Sequence, residues 1–261
     1  MFKLKGLFYG KAGAGKTYCA LTTALHFAKQ GYKVLYLDLE NGTDKAIVDL
    51  AVSGKVEIGE VSESVVNVII NGNTLKILKT LKWIDTEYVV YSDTINKYDL
   101  VVLDGISEVF NQKRDFIELD AKRKKRFISP QGGIHEVKDP ETFVLPFFMY
   151  PPIYDDTAQV VRHLTLKTKP HVIMTLRESE GESSTKQKFE QDIFALFDFV
   201  FHVQSPELAY VKKIRGFKKI TQVRNPAEEC TKILMNYVNV LNKVLKTKVK
   251  EETTENKSEE T

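Results

Sequence analysis

The stretch "GKAGAGKT", residues 10 to 17, spaces two glycines, a lysine and a threonine as G-x-x-x-x-G-K-[ST]. Such a run lets consecutive backbone N–H groups turn inward on a phosphate, here those of Gly10, Lys11, Ala12, Gly13, Ala14 and Gly15. Lys16 supplies a point charge for the β- and γ-phosphates, and Thr17 offers a hydroxyl to Mg2+. The helix that Lys16, Thr17 and Tyr18 open adds the positive end of its dipole. The pattern needs a strand before it and a helix after it. "KLKGLFY" and the helical spacing of Leu21, Ala24, Leu25 and Ala28 provide both, with Gly31 as the stop. ATP and Mg2+ are the expected ligands. A second component of such sites is a carboxylate that ends a buried strand, and Asp104 in "LVVLDG" qualifies as a holder of the metal.

The elements that must position these groups read as an alternation. "KVLYLDL" (33–39), "YDLVVLD" (98–104) and "PHVIMTL" (170–176) are apolar strands, and "DFVFHV" (198–203) and "LAYVKKI" (208–214) are two more, turning at Ser205-Pro206. "TLKILKTLKWI" (74–84) reads as an amphipathic helix through Leu75, Leu78 and Leu81. A last helix opens at Asn225-Pro226, with Leu234, Tyr237, Leu241 and Val244 on one side. Strands alternating with helices imply an α/β fold, a mainly parallel twisted sheet covered on both faces. One ATPase domain is expected over residues 1–246, followed by a solvated, disordered charged tail over 247–261. Residues 111–155, with "AKRKKRF", "SPQGG" and "VLPFFMYPPIY", break the alternation and read as a functional insertion or mobile loop.

Composition sets outer limits. The chain has 261 residues, 43% apolar and 28% charged, with a net charge of +3, so any basic surface must be local. Cys19 and Cys230 make neither a disulfide framework nor a metal spacing. The amino terminus turns glycine-rich too soon for a signal peptide, and no apolar run approaches the ~20 residues of a membrane helix. A soluble, cytoplasmic protein without membrane contact is expected.

Two known families share the phosphate loop. Lys11 stands as in the "KGGxGKT" loop of partition ATPases of the ParA and MinD type, in which that lysine contacts the partner subunit's nucleotide. Here Ala12 replaces a glycine, and "GISEV" follows Asp104 where those proteins usually show "[ST]-x-P". The chain as a whole, from residue 3 to about 220, instead resembles the RecA superfamily, particularly its single-domain KaiC-, RadA- and phage-type members. "LYLDLENGTD" (35–44) is similar to that family's second strand, and implies Glu40 as the base that activates water. "LVVLDGISEVF" is similar to its magnesium strand. "HVIMTLRE" (171–178) is similar to its sensor strand, with Thr175 as the side chain that would read the γ-phosphate. "YVKKIRGFK" (210–218) is similar to its K-x-R-G strand, which implies Lys213 and Arg215 as fingers reaching a neighbouring subunit's nucleotide, in a ring or filament of identical subunits.

The chemistry of phosphoryl transfer fits these roles, since it needs charge compensation and an oriented water rather than covalent help. Glu40 is expected on a strand beside the phosphate-loop strand or one removed, with Glu108 or Asp38 as the next candidates for base. The chain offers no obvious arginine of its own near the phosphate loop, which makes Arg215 of a neighbour the expected source. Partner expectations come from two segments. "KRKKRF" sets Lys122, Arg123, Lys124, Lys125 and Arg126 beside Phe127, suited to tracking phosphates and stacking a base of single-stranded DNA. "ESEGESSTKQK" (178–188) stands where the resembling family has a mobile loop lining the DNA channel. An ATPase acting on DNA in recombination or strand annealing, similar to those of phages and archaeal viruses, leads. A KaiC-like regulatory ATPase with a protein partner and a partition ATPase are the alternatives.

Overall fold

Runs of apolar residues too hydrophobic to leave a face in water force most strands of this chain into the interior of a single sheet. The computed structural model describes residues 3–79, 81–178, 184–214 and 222–258. In chain order it begins with β1 (Lys5–Gly10), α1 (Lys16–Lys29), β2 (Val34–Asp38) and α2 (Thr43–Val52). A meander follows, β3 (Glu57–Val61), β4 (Val65–Ile70) and β5 (Asn73–Lys79), then α3 (Trp83–Tyr91), β6 (Leu100–Asp104) and α4 (Ile106–Lys124). A small hairpin, β7 (Arg126–Ile128) and β8 (Ile134–Glu136), precedes α5 (Tyr150–Arg162). The chain closes with β9 (His171–Arg177), α6 (Ser184–Ala195), β10 (Phe199–Ser205), β11 (Leu208–Ile214), β12 (Val223–Arg224) and α7 (Pro226–Ser258).

Ten of these strands form one sheet in the order β12-β11-β10-β1-β9-β6-β2-β5-β4-β3. The six from β10 to β5 are mutually parallel, and the antiparallel strands lie at the two ends. One apolar layer buries Leu21, Phe27, Ile47 and Leu234 from α1, α2 and α7. The other buries Val90, Phe110, Val161 and Ile193 from α3 to α6. The α/β class, the mainly parallel sheet and helices on both faces are therefore as expected.

Four expectations are corrected. Residues 74–79 are strand, not helix, because Leu75 and Ile77 alternate into the core and Asn71-Gly72 closes a hairpin on β4. Asn71 and Gly72 have φ values of +50° and +76°, the left-handed pair that a tight hairpin turn requires. The helix begins only at Trp83. Residues 111–155 are not a loop. Most of them complete α4 and start α5, the regular crossover from β6 to β9, and only the β7–β8 hairpin and the segment after it are additions. The strand before Glu40 is not beside β1 or one removed, since β9 and β6 both lie between. Finally, α7 runs to Ser258, past the point where a disordered tail was expected, through a stretch of lysines and glutamates that favour helix. Among the described residues no helix is long and apolar enough to cross a membrane.

The seat of the phosphate loop is set by Gly10, where β1 leaves the sheet. Its φ is +153°, and a Cβ there would lie 2.1 Å from the carbonyl oxygen of Val203 on β10. A backbone atom held in a parallel ladder cannot move aside. Gly10→Ala is therefore expected to cost about 1–3 kcal/mol of stability, read by urea denaturation. A variant as stable as the parent would contradict this close packing of β1 on β10.

Candidate active site at the carboxyl edge of the sheet

All the chemistry-bearing residues that the structure brings together sit where parallel strands end. Gly13 and Gly15 adopt φ values of +74° and +97°, which side chains with a Cβ resist, and they curl the loop over the start of α1. The first amides of α1 have no acceptor within the helix and face the loop's hollow. Lys16 is 6% exposed, and its ammonium donates to the carbonyl of Lys11 at 2.7 Å. Burial lowers its pKa most, Glu40, Asp104 and Glu178 raise it, and Arg177 lowers it further, so five ionisable groups act on one another here. A cleft of about 810 Å3 opens here, lined by Gly13, Lys16, Thr17, Tyr18, Glu40 and Arg177 and continuing along α2. Of the expected phosphate-binding residues 10–18, Ala12, Gly13, Gly15, Lys16, Thr17 and Tyr18 line this cleft, and the side chains of Lys11 and Tyr18 are exposed.

Asp104 lies fully buried at the end of β6. It makes no ion pair among the described residues and is held by hydroxyls instead. Thr175 donates to Oδ1 at 2.6 Å, Thr17 to Oδ1 at 3.3 Å and Tyr36 to Oδ2 at 2.8 Å. Burial outweighs these bonds and pushes the carboxyl pKa up to about 6. A buried carboxylate that lacks a cation, one hydroxyl away from a phosphate loop, is an oxygen donor set that fits a hard dication. Thr17 and Asp104 are the residues that would hold Mg2+. Tyr36 escaped sequence reading as one more apolar strand residue. A fully buried tyrosine needs a partner for its hydroxyl, and Tyr36 reaches diagonally across from β2 to β6.

Thr175 is in the site, though not as a sensor. Its hydroxyl is spent between Asp104 and the amide of Gly105, which donates to it at 2.8 Å. Asp38, held in reserve as a base, caps α2 by accepting from the amides of Gly42 and Thr43 and the Thr43 hydroxyl. That turn, with Asn41 left-handed at φ +52°, projects Glu40 into the cleft. Glu40 is 20% exposed and lies 3.4 Å from the guanidinium of Arg177. The absence of a nearby arginine is therefore corrected. Arg177 ends β9, two residues after Thr175 and on the same side of the strand, so its period-2 spacing in "HVIMTLRE" was the available signal. Gly105, at φ +116°, lets the pair meet, since a Cβ there would crowd Glu40 Cγ at 3.1 Å. Glu108, the other reserve base, stands in the first turn of α4 beside it.

The remaining expected residues lie elsewhere. Within the chain the Lys213 ammonium donates to the carbonyls of Phe194 and Ala195, at the C-terminal end of α6. Arg215 lies outside the described residues, as do residues 179–183 of the expected channel loop, and from Ser184 the chain is helical. The basic run closes α4. Lys122 pairs with Glu118 and Lys124 with Asp120, each at 2.8 Å, which leaves Arg123, Lys125 and Arg126 exposed. Phe127 is half-buried in a stack with His135 at 4.9 Å, so it is a packing residue rather than a free ring. Phe147 and Phe148, 66% and 46% exposed, are the rings presented nearby in sequence.

Asp104 gives a prediction with a definite sign. Its folded pKa, about 6, stands above the ordinary value of 3.8, so ionising it costs stability above pH 6 and costs nothing below pH 4. Asp104→Asn should stabilise the nucleotide-free protein by roughly 1–3 kcal/mol at pH 8, and the gain should vanish towards pH 4. The same variant should lose the Mg2+-dependent part of nucleotide affinity. A variant less stable at pH 8 than at pH 4, relative to the parent, would contradict the uncompensated carboxylate.

Solved structures similar to the chain include two archaeal proteins. The flagellar accessory protein FlaH from Methanocaldococcus jannaschii shares 12% identity over 84% of each chain, with a TM-score of 0.42. The KaiC-like protein PH0186 from Pyrococcus horikoshii OT3 shares 11% identity over 82% of this chain and 81% of that one, with a TM-score of 0.43. No curated protein matches. The model of the AAA_24 family, an AAA domain, matches residues 3–196, which takes in the phosphate loop, Glu40, Asp104 and Arg177. That match spans most of the 261 residues, and the chain belongs to this family of AAA domains.

Proposed function

We propose that the protein is a Mg2+-dependent ATPase that assembles into a homo-oligomer and acts on single-stranded DNA, in recombination or strand annealing. One observation carries the hydrolysis: Lys16 and Thr17 line a single cleft with a carboxylate, Glu40, that belongs to neither phosphate nor metal binding, and Asp104 accepts from Thr17 just beneath it. Lys16 leaves the Lys11 carbonyl for the β- and γ-phosphates. The first amides of α1 and the loop hold the phosphate chain in line. Glu40 takes a hydrogen bond from the attacking water and polarises it. Thr17 and Asp104 would hold Mg2+, which when bound would supply neutralisation of charge on the phosphate oxygens.

Support for DNA comes from the far end of α4. This helix starts two residues after Asp104 and, at 19 residues, spans about 28 Å to the basic hairpin. A rigid rod thus joins the metal strand to Arg123, Lys125 and Arg126. A second reading, a KaiC-like regulatory ATPase with a protein partner, is favoured by the apolar side chains near that end. Leu119, Ile128, Ile134 and Val144 are each more than half exposed, at 65%, 64%, 68% and 69%. The oligomer itself is a proposal, and Arg177 weakens one reason for it, because the cleft no longer lacks an arginine of its own.

Two measurements test this reading. Glu40→Gln should keep nucleotide and Mg2+ binding but lose ATP turnover by about 10²-fold or more. Normal turnover in that variant would place the base elsewhere. Charge reversal of Arg123, Lys125 and Arg126 together should lower single-strand affinity and flatten its salt slope by about two units, with basal turnover intact. Reversal of Lys122 and Lys124, already paired within α4, should do less. An unchanged slope would favour the protein-partner reading.

A further inference from the structure

We infer that Arg177 is the group that distinguishes ATP from ADP in this cleft, and that its ion pair with Glu40 holds the carboxylate away from water until a γ-phosphate arrives. The inference rests on the ATPase reading above and adds to it a positioning switch between two residues.

Four observations carry it. Arg177 ends β9, the strand between the phosphate-loop strand and the Asp104 strand, and its Cα stands in register with Gly10. Its backbone is fixed while its side chain is free to travel. The amide donates to Ser107 Oγ at 3.0 Å, and the next amide, of Glu178, donates to the Gly10 carbonyl at 2.9 Å. The side chain, by contrast, is 44% exposed and lines the same cleft as Lys16 and Thr17. Thr175, the other polar residue of this strand end, is committed to Asp104 and cannot reach a phosphate without releasing it. Last, Glu40 is only 20% exposed, and Arg177 is the cation in ion-pair distance of it, with Lys16 acting on it through space.

The competition follows from charge. In the nucleotide-free cleft Arg177 has one carboxylate at 3.4 Å, longer than a charge-assisted hydrogen bond. A terminal phosphate offers three oxygens and more charge, with a geometry that the guanidinium fork matches in two bonds at once. ATP therefore draws Arg177 off Glu40 and frees a carboxylate oxygen for the attacking water. ADP stops one phosphate short, so the pair persists and the base stays occupied. The switch needs no movement of the backbone.

Binding of Mg2+ with ADP, and of Mg2+ with a non-hydrolysable ATP analogue, tests it by calorimetry on the full chain. Arg177→Ala should weaken the analogue at least tenfold, leave ADP within about twofold, and lower kcat by about 10²-fold or more. Arg177→Lys should recover part of the affinity and little of kcat, because an ammonium lacks the fork. Glu40→Gln removes the competitor, so it should tighten the analogue several-fold with ADP unchanged. That gain should disappear when Arg177→Ala is added. Equal losses for ADP and the analogue in Arg177→Ala would overturn the inference. So would a Glu40→Gln gain that survives in the double variant, since simple repulsion between carboxylate and phosphate would then explain it. Lys16→Ala separates the two levels: it should abolish binding of both nucleotides, and a variant that still binds them removes the ATPase reading together with the switch.

Discussion

A carboxylate sealed from water without a cation must be held by hydroxyls, and at Asp104 they come from three elements. Thr17 reaches from α1, Tyr36 from β2 and Thr175 from β9. Those elements surround β6 in the sheet, so the bonds can form only if the strand order is β9-β6-β2 and the phosphate loop feeds α1 over the same edge. Removing an ion from water costs several kcal/mol, and a hydrogen bond to a charged group returns about 1.5–3. The bonds here do not close that gap, and the pKa of about 6 records the remainder. The fold is thus held slightly uphill at its centre, in a way that a bound dication would relieve. Stability and ligand affinity trade against each other at this residue.

The same edge brings Glu40 and Arg177 together. Glu40 follows β2 and Arg177 ends β9, the two strands that flank β6, and their side chains come within 3.4 Å of each other. A residue with a Cβ at 105 would press on Glu40 and on Glu108. Gly105 also starts α4, so one left-handed residue serves both the charged pair and the helix that leads to the basic hairpin. Asp104, Glu40, Arg177 and the start of α4 all converge at the ends of three adjacent parallel strands.

What could be read from the sequence was what depends on short-range spacing. The phosphate loop, the buried strands and the acid after "LVVL" are patterns of a few residues, and they were legible. Glu40 was legible as a residue but not by position, because strand order is set by long-range packing that a local pattern does not record. The meander at 57–79 was misread where two periods overlap: Leu75, Leu78 and Leu81 fit a helix, while Leu75 and Ile77 fit a strand. Asn71-Gly72 would have decided it, since that dipeptide fits a tight hairpin turn better than any helix. Thr175 and Arg177 are interchangeable as sensors in sequence, both polar and both facing one side. Only the hydrogen bonds show which is spent. The basic run looked like five equal charges, and two are neutralised within their own helix.

The most direct test of the account is a crystal structure of the full chain with Mg2+ and a non-hydrolysable ATP analogue. The account predicts that Lys16 has left the Lys11 carbonyl for the phosphates, that the metal lies between Thr17 and the Asp104 side, and that Arg177 contacts the terminal phosphate with Glu40 facing a water in line. A nucleotide seated elsewhere, with Lys16 still on Lys11 and Arg177 still on Glu40, would contradict it.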